Sequence, residues 1–471
     1  MGGSIASQSV RIVAALALVL AETTANPAAA LETGSHTLGV VVADEPHAAL
    51  AARDLLEQGG SVADAAAALY FTLTVTYPVA AGLGGGGLCL HYDAKTKSAE
   101  SIDFLPRASR GGGAIAVPGA VRGFAYLQQR YGRLSWRETL LPAQRLAAQG
   151  FAVSRALADA LKAHETLVEG SPFLAENFAD EDGKIASEGD QVQQVALAAT
   201  LAVIGGKGPT GFYGSSFGEQ ILQAANGEGG AISPADLYDY RTQESPAPVL
   251  DMKQGRVVIP AATTGAGALA AKVLPALSAQ AGSTSAEAVG AASRDAVSQA
   301  LREFNVTGVP QNFGSTGFLI ADHEGEIVVC GVTMTKPFGT AKQVGKTGFA
   351  LAPAPQSTSG LAGAFLMPLV VTGQKGKDVI FAGVGAGGPD AVSGVSALAL
   401  TAFAHDPKLL EPALSAAEKE PGNSVNMLAC SRGLLSSLRS CTAAADRQGH
   451  GVAVQGETQR AAGHGGFLGL F

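Results

Sequence analysis

Between Ser61 and Val75 a helical pattern runs through Ala65-Ala66-Ala67-Ala68 with one charge, Asp64. A helix that is apolar on nearly every face cannot lie on a surface; it has to be enclosed. The 471-residue chain has the material for that: hydrophobic residues make up 47% and charged residues 15%. A chain this long and apolar buries a sizeable core, which argues against wholesale disorder and allows one large domain or two ordinary ones. Lys and Arg number 32 against 40 Asp and Glu, a formal charge of -8. That excludes a general nucleic-acid binder, which needs a basic face to displace counterions. Neither zinc-type Cys/His spacing nor a phosphate-cradling loop is present in the sequence.

The elements around this helix follow from local pattern. Val40-Val41-Val42-Ala43 reads as a strand, and Pro46-His47 opens a helix that Gly59-Gly60 stops. Gly82-Leu83-Gly84-Gly85-Gly86-Gly87 precedes a strand at Leu88–Tyr92. Residues 113–165 are helix-rich and hold the single tryptophan, Trp136. A helix over Ser216–Ala225 follows Gly211-Phe212-Tyr213-Gly214, and Ser233-Pro234 reads as an N-cap with Pro in the first turn. Residues 276–300 are Ala/Ser/Gly-rich and read as a loosely specified helix or loop. Phe318–Asp322 and Glu326–Val332 flank the turn His323-Glu324-Gly325; Pro368–Val371 and Val379–Ala382 flank a polar turn over Gly373–Lys377. Two adjacent hairpins imply an antiparallel sheet covered by helices, a layered α+β fold.

At the N-terminus, Arg11 precedes the apolar run Ile12–Ala21, and Ala28-Ala29-Ala30 offers a small-residue cleavage site. This reads as an export signal over residues 1–30, which sends the chain to a periplasmic or extracellular compartment. Cys430 and Cys441 enclose the short polar loop Ser431–Ser440 and, in an oxidising compartment, are expected to form a disulfide. Cys89 and Cys330 lie in apolar strand-like runs and are expected to be buried, inert thiols.

Three segments, in order, resemble the γ-glutamyltranspeptidase family over most of residues 39–405. The first joins Pro46-His47 to Gln58-Gly59-Gly60-Ser61-Val62-Ala63-Asp64-Ala65-Ala66, the glycine run and Tyr92-Asp93. The second is Val117-Pro118-Gly119, Tyr131-Gly132-Arg133-Leu134-Ser135-Trp136, Pro142-Ala143 and Gly150-Phe151. The third is Ser315-Thr316-Gly317-Phe318 with Asp322, Gly325, Thr333, Phe338 and Gly339. The resemblance implies an N-terminal-nucleophile hydrolase, folded as a four-layer αββα sandwich, whose precursor cuts its backbone before a hydroxyl residue. That residue's own α-amine then serves as base, which solves the weak-nucleophile problem.

Alignment on Phe318 and Asp322 puts the family's nucleophile at Ser315, with Thr316 as the alternative should the register slip by one; an ordinary strand entrance is the plain reading. Thr333 aligns with a second threonine that hydrogen-bonds the nucleophile, against a plain cross-strand Thr. Gly385-Ala386-Gly387-Gly388 resembles the family's glycine pair, with the Gly387 and Gly388 amides stabilising an oxyanion; a simple turn is the alternative. Cleavage there makes a large segment over 31–314 and a small one over 315–471 within one intertwined domain, a self-cleaved heterodimer. No metal or organic cofactor is implied.

The chain departs from the family where substrate is recognised. The family's carboxylate-binding Arg directly follows an Asp-Phe pair; here Asp103-Phe104 is followed by Leu105-Pro106-Arg107. Arg107 reaches the same place only through a two-residue shift, and a surface Arg is the equal alternative. The family's acidic anchor for the substrate ammonium corresponds to Ala352-Pro353-Ala354-Pro355-Gln356-Ser357, and its serine pair to Ala364-Phe365-Leu366-Met367-Pro368. Three functions therefore stand: a γ-glutamyl hydrolase or transferase acting on glutathione, an amidase for a more apolar acyl group, and a non-catalytic ligand-binding relative.

Overall fold

The computed structural model describes residues 37–280, 285–355, 357–376, 378–403, 423–435, 438, 441–445 and 452–457. The export segment expected over residues 1–30 lies outside them. Strand β1 (Thr37–Ala43) leads into helices α1 (Pro46–Glu57) and α2 (Val62–Thr76), then strands β2 (Gly86–Asp93) and β3 (Ser98–Asp103). Helices α3 (Ala120–Tyr131), α4 (Trp136–Gln149) and α5 (Val195–Lys207) follow, with further helices between α4 and α5 and beyond α5. Strands β4 (Gln243–Pro246), β5 (Val249–Asp251) and β6 (Arg256–Val258) come next, then helices α6 (Gly265–Gln280) and α7 (Ala286–Glu303). These two helices replace the loose region expected over 276–300; Ser285 caps α7 by accepting from the Ala288 amide, which gives the stretch a defined start.

The last part supplies β7 (Ser315–Asp322), β8 (Glu326–Thr333), β9 (Leu366–Thr372), β10 (Val379–Ala386), α8 (Pro389–Ala402), β11 (Ser424–Cys430), β12 (Cys441–Ala444) and β13 (Val452–Glu457). The seven-stranded sheet runs β13-β1-β7-β8-β2-β3-β4 and the six-stranded sheet β12-β11-β10-β9-β6-β5. Both expected hairpins form: β7 with β8, and β9 with β10. The segments expected to separate at position 314 interleave in the seven-stranded sheet, and in the six-stranded sheet they meet along one seam, β9 against β6.

Strand alternation sets the layers. One face of the first sheet (Leu90, Leu319, Val329) packs on one face of the second (Val370, Val384, Leu428). The opposite face of the first sheet, through Phe318, Ile320 and Val332, meets α1–α3. The opposite face of the second, through Leu369, Phe381 and Val425, meets α6–α8. This is the αββα sandwich of the N-terminal-nucleophile hydrolases. Helix α2 is buried at every residue, as its composition demanded.

Cys430 and Cys441 are bonded, as are Cys89 and Cys330. The latter pair corrects the expectation of two inert thiols. Cys89 and Cys330 are direct cross-strand partners on β2 and β8. That register joins residues 241 apart in sequence, and no local pattern reports it.

Candidate functional site

Ser315 opens β7, where it faces Thr333, the last residue of β8. Thr333 in turn pairs with Gly86 on β2. The Ser315 hydroxyl donates to Thr333 Oγ1 at 2.8 Å. Thr333 Oγ1 also accepts the Thr335 amide at 2.9 Å, and its proton faces the carbonyls of Phe313 at 3.2 Å and Gly314 at 3.3 Å. The Gly314 carbonyl, which belongs to the peptide bond preceding Ser315, accepts a further bond from the Met334 amide at 2.9 Å. One carbonyl oxygen thus has two donors aimed at it, and a hydroxyl sits on the next residue.

Gly314 is in the left-handed region at φ +58. A Cβ there would lie 2.3 Å from the Lys336 carbonyl carbon, so both conformation and space require glycine. Asn312 accepts the Gly314 amide on its side-chain oxygen at 2.7 Å, which closes a local turn. Thr335 also has positive φ, +60, on a β-branched residue. Such backbone is costly and is concentrated at functional sites. Neither Asn312 nor Thr335 was singled out by sequence; the Asn-x-Gly spacing before Ser315 was the available signal.

Adjacent strand residues point to opposite faces, so Ser315 and Thr316 diverge. The Thr316 hydroxyl donates to the Asp44 carboxylate. Asn426 donates from Nδ2 to the other Asp44 oxygen at 2.8 Å and to the Gly317 carbonyl at 2.8 Å. Burial pushes the Asp44 carboxyl above its ordinary range, opposed by hydrogen bonds from Ser424, Thr316, Asn426 and the Gly317 amide. Asp44 escaped the sequence reading because an acid between a strand and a helix reads as a cap. Its neighbour Glu45 fills that role, accepting the Ala48 amide at 2.8 Å.

Gly385 and Ala386 end β10, and Gly388 is the N-cap of α8 with no side-chain cap bond. The Phe313 amide donates to the Gly387 carbonyl at 3.2 Å, and a Cβ on Gly388 would meet the Gln311 carbonyl at 2.6 Å. Gln311 and Phe313 therefore lie against the glycine pair, and Ser315 is 7% exposed. The Phe313 ring stacks on Phe365 at 5.5 Å.

The family model described as gamma-glutamyltranspeptidase matches residues 48–303, more than half of the chain. The chain belongs to the γ-glutamyltranspeptidase family. Relatives of this transpeptidase-family chain include Scoloptoxin SSD14 of Scolopendra dehaani, 34% identical over 225 residues, 44% of this chain and 39% of that one. The glutathione hydrolase proenzyme of Bacillus subtilis is 31% identical over 224 residues, 43% and 38% of the two chains. The match thus spans well under half the length of these curated relatives. In fold, the structure is similar to a cephalosporin acylase from Bacillus halodurans (TM-score 0.69, 18% identity, covering 89% of this chain and 96% of that one). It is also similar to the Helicobacter pylori gamma-glutamyltranspeptidase (TM-score 0.50, 24% identity, 55% and 81% covered).

Set against its family, this transpeptidase relative has a different recognition corner. Leu105 stands where the Arg would follow Asp-Phe, and its side chain lies 2.7 Å from where a Cβ on Gly363 would be. Arg107 is turned to other partners: it donates to the Arg241 carbonyl at 2.9 Å, lies 3.6 Å from the Asp103 carboxylate, and stacks over the Tyr240 ring at 4.9 Å. One arm of its fork, Nη1, holds the Arg241 carbonyl, while Nη2 is buried with no hydrogen-bond partner among the described residues. Ala352 and Ala354 are buried, with the Ala352 carbonyl taken by the Ala116 amide and the Ala354 amide donating to Ala114. Among the described residues no cluster of His, Cys, Asp and Glu could hold a metal ion, and no helix is long and apolar enough to cross a membrane.

Proposed function

We propose that this chain is a self-processing amide hydrolase or acyl transferase of the γ-glutamyltranspeptidase type, exported, with Ser315 as nucleophile. The observation that carries this reading is the Ser315–Thr333–Gly314 arrangement. Ser315 Oγ attacks the Gly314 carbonyl carbon as its proton moves to Thr333 Oγ1 and Thr333 passes its own proton to the Gly314 oxygen, which the Met334 amide also steadies. The Gly314–Ser315 C–N bond then breaks, its nitrogen takes the proton, and an ester joins Gly314 to Ser315 Oγ. Water hydrolyses the ester, leaving a Gly314 carboxylate and a free Ser315 amine. Asn312 holds Gly314 in the required turn.

After cleavage the Ser315 amine is the base for its own hydroxyl. It acts on a γ-glutamyl or other acyl amide while the Gly387 and Gly388 amides, at the positive end of α8, face the oxyanion. Thr316 is the weaker candidate because its proton is already given to Asp44. The family reaction, hydrolysis of glutathione or transfer of its γ-glutamyl group, is the first expectation.

The placement of Leu105 against Gly363 favours a second reading: an amidase for a more apolar acyl group. A site without polar partners for the glutamyl zwitterion loses its discrimination for that group. The experiment is a reducing denaturing gel of the wild type and of Ser315→Ala, with N-terminal sequencing, followed by turnover of γ-glutamyl anilide against simple acyl anilides. Two chains in the wild type with Ser315 first in the small one, and one chain in S315A, are expected. A single uncut wild-type chain without turnover would leave the ligand-binding relative as the reading. Preference for the simple acyl anilides selects the second activity.

A further inference from the structure

We infer that the two chains made by cleavage at Gly314–Ser315 stay covalently joined through Cys89–Cys330, so that the mature protein is a disulfide-linked two-chain molecule. This rests on the self-cleavage reading for the place of the cut, though not for the bond. Cys89 lies before position 314 and Cys330 after it, and the two sulfurs are bonded. The other disulfide, Cys430–Cys441, lies wholly after the cut and joins nothing across it.

The bond sits in the middle of the first sheet. Cys89 and Cys330 face each other on β2 and β8, both fully buried on the face covered by α1–α3. Three pairs further along the same ladder Thr333 faces Gly86, and on its other side Thr333 faces Ser315. The cross-link therefore fixes the β2–β8 register that carries Thr333 to Ser315. A cut at Gly314 turns β7 into the start of a separate chain, held by its ladder to β1, by the β8–β2 ladder and by this covalent tie.

The chemistry balances in two independent steps. In the precursor the Cys89 and Cys330 thiols give up two electrons and two protons to a disulfide-exchange oxidant of the compartment the chain enters. Cleavage then consumes one water and leaves the S–S bond intact.

The test is a denaturing gel run with and without reductant after free thiols are blocked with iodoacetamide. The wild type is expected to run as one species without reductant and as two with it. Cys430→Ser with Cys441→Ser is expected to behave as the wild type, and Cys89→Ser with Cys330→Ser to separate into two species without reductant. Two wild-type species in the absence of reductant overturn the proposal.

A second variant keeps the question open to an answer if the wild type does not cut itself or the cysteine variants fail to fold. A site-specific protease sequence is placed at Thr307–Gly308, both exposed, in Ser315→Ala, and the purified protein is cut there. One species without reductant and two with it support the cross-link; two without reductant overturn it. A wild-type chain that stays single even with reductant counts against self-cleavage alone.

Discussion

Ser315 and Thr316 are neighbours with opposite obligations. The Ser315 proton goes to Thr333, while the Thr316 proton goes to a buried carboxylate, Asp44. Thr316→Val is therefore expected to cut itself at the wild-type position while losing about 1–3 kcal/mol of stability, because Asp44 loses a donor where water cannot replace it. A gel for cleavage and a urea midpoint for stability check the two halves; an uncut T316V would move the nucleophile to 316. His91 gives a pH dependence. It is buried and stacked on Tyr131 at 3.8 Å, and burial lowers its pKa to about 4 from 6.5, opposed by Glu100 and Asp93. Below pH 6.5 the unfolded chain takes up a proton that folded His91 refuses. Its contribution is thus full above pH 6.5 and is lost as pH falls towards 4, by up to about 3 kcal/mol. His91→Phe should flatten that slope relative to the wild type when urea midpoints at pH 7 and pH 5 are compared, and an unchanged difference would refute it.

Helix α2 shows how one residue ties several elements together. Its lone charge, Asp64, closes a capping box with Ser61. The same carboxylate accepts the Arg133 amide at 2.7 Å, the Leu134 amide at 3.2 Å and Gln128 Nε2 at 3.1 Å. The sequence displayed Asp64 as the odd charge on a buried helix, and its cap follows from the Ser-x-x-Asp spacing. Its partners at the end of α3 and in the α3–α4 turn, some 64 to 70 residues away, were invisible because they are fixed by packing. Asp64→Ala is expected to cost about 3 kcal/mol or more, since it strands several buried donors at once. The loss should be read as a lowered urea midpoint, whereas Ser61→Ala, which keeps the inter-element bonds, should cost about 1 kcal/mol. Equal losses in the two variants would mean that the capping box alone matters.

Across the whole sandwich the two sheets pack through apolar side chains, and at two positions of the first sheet only a glycine fits. A Cβ on Gly317 would meet Val384 at 2.5 Å and one on Gly331 would meet Leu366 at 2.9 Å. Val384 from the second sheet fills the space beside Gly317. Gly317→His is expected to force the layers apart and cost about 3 kcal/mol or more, by overpacking and by burying a polar ring. Pairing it with Val384→Gly should recover part of that loss, a coupling that only direct contact produces. Melting curves of the two single variants and the double variant decide it; strictly additive effects would remove Val384 as the occupant.

What the sequence determined by itself was whatever short-range physics controls. It specified the buried helix through its missing polar face, the two hairpins through strand runs flanking turns, and the layered α+β class. Tertiary structure alone decided which distant residues meet. Pairing of β2 with β8 turned two apparent thiols into a cross-link, the end of β1 brought Asp44 to Thr316, and Leu105 packed against Gly363 while the Arg241 carbonyl took one arm of Arg107. The reason is physical: turns and amphipathic periods are encoded over a few residues, whereas a contact across hundreds of residues exists only after sheets have chosen their register and layers have closed.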